Sequence, residues 1–481
     1  MFRAFVRDSV IYAVPALINR GLSVFLVPLY TRILSPSDYG AYDMLMVFGS
    51  LANLTVALEV TQGLARFLSD EKDPGRKVLY SSSAFWFSII CHTLFLIVTL
   101  VYTPTLSRLV MGTAGLEHIF QMGMLFLWLN RLFYVIQTQF RWDLRSKNYA
   151  VVSLLASFVT VSISITLAYY LNWGLAGILY GMIAGSLVGC AYGLWHLRTS
   201  FRFHFQRSYL KEMLLFSVPL VPSSISVFVS LYIDRLMINH YLSLNEVGLY
   251  GIGFRLASIS GLLMVGFQGA LTPLIYSRYR EEQTPWQLAL IFRVFVVFAL
   301  FAFLGLSVFA REILWVMTTP EYYSASQVVI YLVPAILFSN LYIFAPGIDI
   351  EKKTHLNLLI NMSVATLHIF FNWLLIPRLG ILGAAVASLL GYVFFFAVYM
   401  SFSQRFYPVP HDWKPLGLSV VGVVVLAFIG SRVELGMAID VMMKIVFLCG
   451  AGLLFMATGL VKWAEIEKAI TLVKQRFVRL S

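Results

Sequence analysis

Long apolar stretches recur along the whole chain and are separated by short polar connections. Each stretch holds about 20 residues, the length with which a helix crosses the roughly 30 Å hydrocarbon core of a bilayer. The pattern therefore predicts an all-α polytopic membrane protein with about fourteen spanning helices. We place these helices at residues 9–30, 40–65, 79–102, 117–137, 149–170, 174–196, 213–233, 247–276, 287–310, 325–346, 355–376, 381–402, 415–431 and 440–461.

The first apolar run begins near Ser9 and continues past Leu26. It is longer than the core of a cleavable signal peptide, so we expect it to form the first spanning helix. The composition agrees with a membrane protein, because 59% of the residues are hydrophobic and only 12% are charged. Soluble domains carry roughly 25% charged residues.

The net charge of +12 could indicate a nucleic-acid partner, but its distribution indicates a topology signal instead. With the N-terminus placed inside, the inside segments carry 24 of the 35 Lys and Arg residues and the outside loops carry 6. Such an excess follows the positive-inside rule and predicts that both termini are cytoplasmic. The remaining five lie within predicted helices and are Arg20, Arg131, Arg255, Arg293 and Lys444. Arg293 and Lys444 lie near helix ends, where we expect their side chains to reach the interface.

The chain contains an internal duplication. Residues 23–26 (SVFL) recur as 226–229 (SVFV), and residues 40–42 (GAY) recur as 248–250 (GLY). A third match at a similar offset pairs residues 174–177 (GLAG) with residues 380–383 (GILG). Each repeat contains six predicted helices, so both copies enter the membrane from the same side and form parallel repeats.

This duplication predicts the domain organisation. Residues 1–200 form an N-terminal six-helix lobe, and residues 201–405 form a C-terminal six-helix lobe. Residues 406–481 add two further spanning helices and an amphipathic cytoplasmic tail. The tail is expected to lie on the inner membrane surface or to form a solvated helical end.

Four segments carry a resemblance to a known family. They are residues 27–45 (VPLYTRILSPSDYGAYDML), 63–70 (GLARFLSD), 231–257 (LYIDRLMINHYLSLNEVGLYGIGFRLA) and 372–388 (NWLLIPRLGILGAAVAS). In order and spacing, the chain resembles the Wzx-type polysaccharide flippases of the multidrug/oligosaccharidyl-lipid/polysaccharide exporter superfamily. The resemblance implies two six-helix lobes around a central cavity. It also implies export of an undecaprenyl-diphosphate-linked oligosaccharide across a bacterial inner membrane, alongside polysaccharide polymerases and other assembly proteins.

Arginines within the bilayer are the candidate substrate contacts. Arg20, Arg131 and Arg255 lie inside predicted helices, and Arg66 lies at the inside end of helix 2. A guanidinium binds phosphate through two hydrogen bonds and keeps its charge, which suits a diphosphate that must cross hydrocarbon. Lipid II flippases carry cavity arginines on helices 1, 2 and 8, which resembles the placement of Arg20, Arg66 and Arg255. The alternative is that each arginine pairs with a carboxylate, and the positive-inside rule explains Arg66 equally well.

Ion coupling is the expected energy source, because the sequence has no Walker A motif for ATP hydrolysis. Glu59 and Asp43 in helix 2 are the candidate titrating groups. A structural ion pair between Glu59 and an arginine is the alternative. Asn372 and Ser388 resemble positions near a sodium site in lipid II flippases, but Ile376 stands where that family carries an acid.

No residue pattern indicates an enzyme, a cofactor or a metal. Cys91, Cys190 and Cys449 lie inside apolar runs and have no metal-ligand spacing. His92 and His368 are expected to be structural. A lipid II flippase or a multidrug exporter of the same superfamily remains an alternative. A membrane polysaccharide polymerase or ligase is disfavoured, because the outside loops are short and hold few acidic residues.

Overall fold

The computed structural model describes residues 25–432 and 437–461, together with positions 15, 18 and 21. Over these residues the regular secondary structure is helical, without strands, which confirms the all-α fold. The structure divides into two compact units, Met1–Gly251 and Ile252–Ser481. This division follows the packing of the helices. The predicted lobe boundary at residue 200 follows from the duplication instead, and it stays a prediction.

The first unit contains ten helices among its described residues and the start of an eleventh. Their bounds are α1 (Val27–Ile33), α2 (Pro36–Thr55), α3 (Val60–Asp70), α4 (Pro74–Val101), α5 (Thr103–Met111), α6 (Glu117–Trp142), α7 (Ser146–Ser164), α8 (Gly174–His196), α9 (Arg207–Ser217), α10 (Val221–Tyr241) and α11 (Leu244–Ser258). A π-helical turn over Ile165–Tyr170 extends α7. The helix α11 crosses the boundary between the units.

The second unit continues with nine helices among its described residues. Their bounds are α12 (Leu262–Arg278), α13 (Thr284–Val308), α14 (Ala310–Met317), α15 (Ser326–Asn340), α16 (Gly347–Ile350), α17 (Thr354–Leu379), α18 (Ile381–Phe406), α19 (Trp413–Gly430) and α20 (Met437–Ala457). The helix α13 packs against both α19 and α20, so the two helices that follow the predicted repeats belong to this unit. The predicted cytoplasmic tail lies outside the described residues.

The described residues contain twelve helices that are long and apolar enough to cross a membrane. A thirteenth span arises if the bent pair α2 and α3 is counted as one. The first predicted helix, at residues 9–30, falls mostly outside the described residues. Large apolar side chains such as Phe158 and Val446 are exposed on these helices, which is expected for surfaces that face lipid rather than water.

The sequence predicted helix 2 as one continuous helix over residues 40–65, but the structure divides it into two. It breaks between α2 and α3, whose axes differ in direction by 51°. Leu58 and Glu59 at the break both adopt left-handed backbone conformations, with φ of 49° and 54°. Non-glycine residues rarely adopt this region, and for a bulky leucine it is an outlier, so tertiary contacts must hold the break in place.

Two short helices lie where the sequence predicted irregular outside loops. They are α5 and α14, which follow the third predicted spanning helix of each repeat. Both place apolar residues on one face, and both begin within one or two residues of the end of the preceding long helix. The two helices occupy corresponding positions in the predicted duplication, which stays a prediction.

Candidate functional site

A buried ion network joins α2 to α10 in the first unit. The Nε atom of Arg235 donates a 2.8 Å hydrogen bond to Oδ2 of Asp43. Its Nη1 atom donates to Oδ1 of Asp234 at 3.1 Å. The guanidinium is almost fully buried. Asp43, predicted as an ion-coupling residue, therefore meets a partner 192 positions away in sequence.

Tyrosines complete this network. The hydroxyl of Tyr250 on α11 donates to Oδ2 of Asp234. The guanidinium of Arg235 lies over the rings of Tyr232 and Tyr250, 5.7 and 5.5 Å from their centroids. Asp43 and Asp234 together carry two negative charges against one positive charge on Arg235. Removal of water strengthens each of these interactions and raises the free energy of leaving any one group without a partner.

Beside the network, the backbones of α2 and α11 touch. A Cβ atom added to Gly40 would lie 1.9 Å from the carbonyl oxygen of Leu244. A Cβ atom added to Gly248 would lie 1.9 Å from the carbonyl oxygen of Pro36. Gly40 and Gly248 correspond in the predicted duplication, so the contact is reciprocal. Only glycine permits this approach, because any side chain at either position would overlap main-chain atoms.

The helix break positions the second candidate coupling residue, Glu59. Its side chain is buried, with 8% of its surface exposed. Ser217 Oγ on α9 donates a 2.8 Å hydrogen bond to the carbonyl oxygen of Leu58, which satisfies a backbone group released by the break. Glu59 lies near enough to Arg131 for an electrostatic interaction between the two side chains. Among the described residues no hydrogen bond or ion pair joins Glu59 to Arg131, so the structural ion pair of Glu59 stays a prediction.

Three of the four arginines predicted to bind diphosphate lie among the described residues, and their exposures differ. Arg20 lies outside the described residues. Arg66 is 53% exposed at its side chain and pairs with Asp70 one turn later. Arg255 is partly buried near the C-terminal end of α11. Arg131 is only 4% exposed and lies inside the packing of α4 and α6, which differs from the predicted position along a wet cleft.

Asn372 and Ser388, the residues predicted near a sodium site, are both buried on α17 and α18. Nδ2 of Asn372 donates a 2.7 Å hydrogen bond to the carbonyl oxygen of His368, one turn earlier. Its Oδ1 atom is buried and has no hydrogen-bond partner among the described residues. Ile376, one turn after Asn372, is fully buried and supplies no carboxylate beside it. Within the described part of the chain, no cluster of three or more His, Cys, Asp or Glu could hold a metal ion.

One ion pair of the second unit escaped sequence analysis. Nζ of Lys444 on α20 contacts Oε1 of Glu312 on α14, and the lysine is buried. The expectation that Lys444 reaches the membrane interface is therefore wrong. In the predicted topology, Lys444 and Glu312 both lie near the outside ends of spanning helices, and this shared position was the one sign of a contact. Sequence alone does not place α20, which carries Lys444, beside α14, which carries Glu312.

Comparison with known proteins identifies the family. The family model described as "Polysaccharide biosynthesis protein" matches residues 29–334, well over half of the chain. The chain belongs to this family. It is also 20% identical over 430 residues to the "Probable low-salt glycan biosynthesis flippase" of Haloferax volcanii, covering 88% of both proteins.

Solved structures agree on the fold. The chain matches a lipid II flippase, MurJ, in an inward closed conformation with a TM-score of 0.73 and 13% identity. That match covers 94% of this chain and all of the flippase. An inward-facing multidrug resistance MATE transporter of the MOP superfamily matches with a TM-score of 0.63 and 14% identity, over 83% of this chain and 98% of the transporter. The chain therefore shares the fold of these two transporters.

Proposed function

We propose that this protein is a flippase that moves an undecaprenyl-diphosphate-linked oligosaccharide from the inner to the outer leaflet of a bacterial inner membrane. Membership in the polysaccharide biosynthesis protein family supports a glycan substrate. The relative named as a glycan biosynthesis flippase and the fold shared with the lipid II flippase support a lipid-linked one. Both termini are cytoplasmic in this proposal, as the distribution of Lys and Arg predicts.

The Asp43–Arg235 ion pair is the main observation that supports an alternating-access mechanism. The predicted topology puts Asp43, Arg235 and Gly248 near the outside ends of helices 2, 7 and 8. A buried ion pair next to a close backbone contact holds these ends together and keeps water out. Separation of α2 from α10 and α11 would open a path toward the outer leaflet. The network is thus proposed as the outside closure of the transport cycle.

The same network supports ion coupling. Two carboxylates share one guanidinium, so a proton that neutralises Asp43 removes its attraction to Arg235. Protonation from the outside would therefore favour separation of the helices. Sodium has less support, because Ile376 supplies no carboxylate beside Asn372 and Ser388.

Arginine side chains remain the proposed contacts of the diphosphate. Arg20, Arg66 and Arg255 are assigned this role, since a guanidinium replaces hydration that the phosphates lose in the membrane. Arg66 has the exposed surface that such a contact needs, and its partner Asp70 is exposed as well. Arg131 is not assigned this role, because it has almost no exposed surface.

A deletion strain and a reconstituted assay test the function together. Loss of the protein should cause complete repeat units on their lipid carrier to accumulate in the inner leaflet. Purified protein in liposomes should make the glycan accessible to an external lectin. Arg255→Gln should slow this step at least tenfold, whereas Arg207→Gln, at an exposed arginine that begins α9, should not.

Other outcomes would overturn the proposal. Accumulation of unpolymerised units on the outer surface would indicate a polymerase or ligase. Accumulation of lipid II would indicate a lipid II flippase, and loss of drug resistance alone would indicate a multidrug exporter. Polymerases and other assembly proteins are the proposed partners, because they act on the exported unit.

A further inference from the structure

A basic and aromatic loop, residues 197–206, joins α8 to α9. From Arg198 to Lys211 the sequence of this α8–α9 loop and the first turn of α9 holds four Lys and Arg residues and no acidic residue. Arg198 and Arg202 are exposed, and among the described residues neither guanidinium has a carboxylate within ion-pair distance. The predicted topology puts the loop on the inside of the membrane. Both charges therefore face the surroundings of the protein without an internal counter-ion.

Side chains of α4 hold the backbone of this loop in place. Ser82 Oγ accepts a 3.0 Å hydrogen bond from the amide of Arg202. Ser83 Oγ accepts a 3.0 Å hydrogen bond from the amide of Gln206. Nε1 of Trp86 donates a 2.9 Å hydrogen bond to the carbonyl oxygen of Arg202. The loop is therefore ordered through its main chain, and its charged and aromatic side chains remain available for another partner.

The three phenylalanines of the loop differ in burial. Phe201 stacks on Phe85 of α4, with ring centroids 4.2 Å apart, and anchors the loop. Phe203 stacks on Trp86 with ring centroids 5.0 Å apart, yet 91% of its surface is exposed. Phe205 is 52% exposed. Contact of two large aromatic side chains with water is unfavourable, so we expect this surface to face an apolar environment.

The contacts with α4 place the loop at the depth of the inner membrane interface. The predicted third spanning helix begins at residue 79, and Ser82 and Trp86 lie three and seven residues further along it. At about 1.5 Å per residue, these positions are roughly 5 and 10 Å from the start of the span. Interfacial segments insert their apolar groups to a similar depth, about 5–10 Å. Phe203 and Phe205 can therefore reach acyl chains while the arginines stay among the headgroups.

The second predicted repeat shows that the scaffold does not require such a loop. The corresponding connection lies between α18 and α19 and spans residues 407–412. It contains Asp412 but no Lys or Arg. Its Tyr407 is half-buried and donates a 3.0 Å hydrogen bond to the carbonyl oxygen of Tyr279. The basic residues and the exposed rings are therefore specific to the α8–α9 loop, which indicates a role other than joining two helices.

Charge and depth together select the partner of the loop. A soluble anion would neutralise the arginines but would leave the exposed rings in water. A phospholipid supplies both a phosphate, which a guanidinium binds through two hydrogen bonds, and acyl chains for the rings. Anionic headgroups are favoured over zwitterionic ones, because a basic segment is attracted to lipid with a net negative charge.

We propose that the α8–α9 loop binds the headgroup of an anionic phospholipid in the inner leaflet. Arg198 and Arg202 contact the phosphate, and Phe203 and Phe205 rest against the acyl chains. The bound lipid fixes the inside ends of α4, α8 and α9 relative to the inner leaflet. The inference goes beyond the proposed function, because no step of transport uses this loop.

Photo-crosslinking in lipid nanodiscs tests the site directly. The purified full chain is placed in phosphatidylcholine discs that contain a small fraction of phosphatidylglycerol or phosphatidylcholine with a diazirine on its acyl chain. Peptide mass spectrometry then maps the crosslinks. On residues 197–206 the phosphatidylglycerol probe should give at least about fivefold more crosslinks, because each Lys or Arg near an anionic lipid contributes about that factor. On Ile369 and Phe370, exposed in the middle of α17, the two probes should label equally.

Two double variants with an equal loss of charge separate a specific site from a general charge effect. Arg198→Gln with Arg202→Gln should lower the ratio between the probes to below about two. Both side chains are exposed, and α4 holds only the backbone of residue 202, so this variant should fold. Arg76→Gln with Lys77→Gln, at exposed residues at the start of α4, should leave the ratio unchanged. If the first double variant fails to fold, Arg202→Gln alone should still lower the ratio.

Three results would overturn the proposal. They are equal crosslinking of the loop by the two probes, an equal fall of the ratio in both double variants, and displacement of the probe by undecaprenyl diphosphate but not by unlabelled phosphatidylglycerol. The third result would assign the loop to the diphosphate of a transported lipid instead. Failure of the protein to flip a lipid-linked glycan would overturn the proposed function and leave the lipid site intact, because crosslinking needs no transport.

Discussion

Nε of Arg235 and Oδ2 of Asp43 lie 2.8 Å apart, and this buried ion pair links a helix of the first predicted repeat to a helix of the second. Asp234 and Tyr250 hold the same arginine from the other side. Four side chains from three helices thus depend on one guanidinium. Substitution of this arginine should therefore affect more than a single contact.

Arg235→Met should reduce the free energy of unfolding by about 3–5 kcal/mol, because it leaves two buried carboxylates without their partner. The measurement is thermal unfolding of the purified protein in detergent. Adding Asp43→Asn to Arg235→Met should recover part of the loss, since one uncompensated charge is then removed. The control is Arg66→Met, at an arginine that is 53% exposed, which should change the same quantity by less than about 1 kcal/mol. Equal losses in Arg235→Met and Arg66→Met would refute the network.

Gly40→Ala and Gly248→Ala should each destabilise the protein by more than about 2 kcal/mol, because the new methyl group overlaps a backbone carbonyl that cannot move alone. Flipping should slow as well if the outside closure is misaligned. Gly305→Ala in α13 is the matched control, because its Cβ atom would meet nothing within 4 Å. That substitution should be neutral or stabilising by up to about 1 kcal/mol, as alanine is the better helix former. Comparable melting temperatures in all three variants would contradict the close contact.

Lys444→Met should destabilise the second unit by about 3 kcal/mol, because Glu312 is left partly buried without its partner. The double variant Lys444→Met with Glu312→Gln should be more stable than Lys444→Met alone. A double-mutant cycle on melting curves gives the coupling energy between the two residues. If the effects of the two substitutions on the free energy of unfolding simply add, the packing of α14 and α20 does not depend on this ion pair.

His411 lies between α18 and α19, outside the membrane-spanning segments, against the rings of Phe292 and Trp413. Burial lowers the pKa of His411 from its ordinary value of 6.5 to about 4. The unfolded chain therefore takes up this proton first, and its contribution to stability is complete above pH 6.5 and is lost as the pH falls toward 4. Between these limits the free energy of unfolding should fall by at most about 1.4 kcal/mol per pH unit.

Melting temperatures of wild type and His411→Phe at pH 7.5, 6, 5 and 4.5 test this expectation. The phenylalanine keeps the aromatic packing and cannot titrate, so the difference between the two proteins should grow in favour of the variant as the pH falls. A difference that is constant across this range would exclude the titration of His411 as its cause.

Sequence analysis predicted the helical architecture because apolar length and charge asymmetry are direct consequences of the bilayer. It placed long helices such as α8 and α18 at their observed start residues. It missed the break after Thr55, since no glycine or proline marks it. The left-handed backbone at Leu58 and Glu59 is imposed by packing between helices, which a local pattern does not encode.

The candidate site was predicted in part. Asp43 and Glu59 were selected as isolated acids in an apolar helix, and both are buried or nearly so in ionic environments. Their partners come from elsewhere in the chain, so spacing within one helix could not reveal them. Arg131 was placed on a wet surface, because a single arginine in an apolar helix gives no sign of which helix packs over it.

The reciprocal contact of Gly40 and Gly248 has a consequence for the symmetry of the fold. Each glycine meets the main chain that precedes its counterpart, which is the geometry of an isologous interface between two identical subunits. In the predicted duplication, this geometry corresponds to two six-helix copies that pair through one glycine-bearing helix each. Asp43 breaks that equivalence, because Gly251 occupies the corresponding position in the second repeat. The ion pair that Asp43 forms with Arg235 therefore makes the two sides of the glycine contact chemically different.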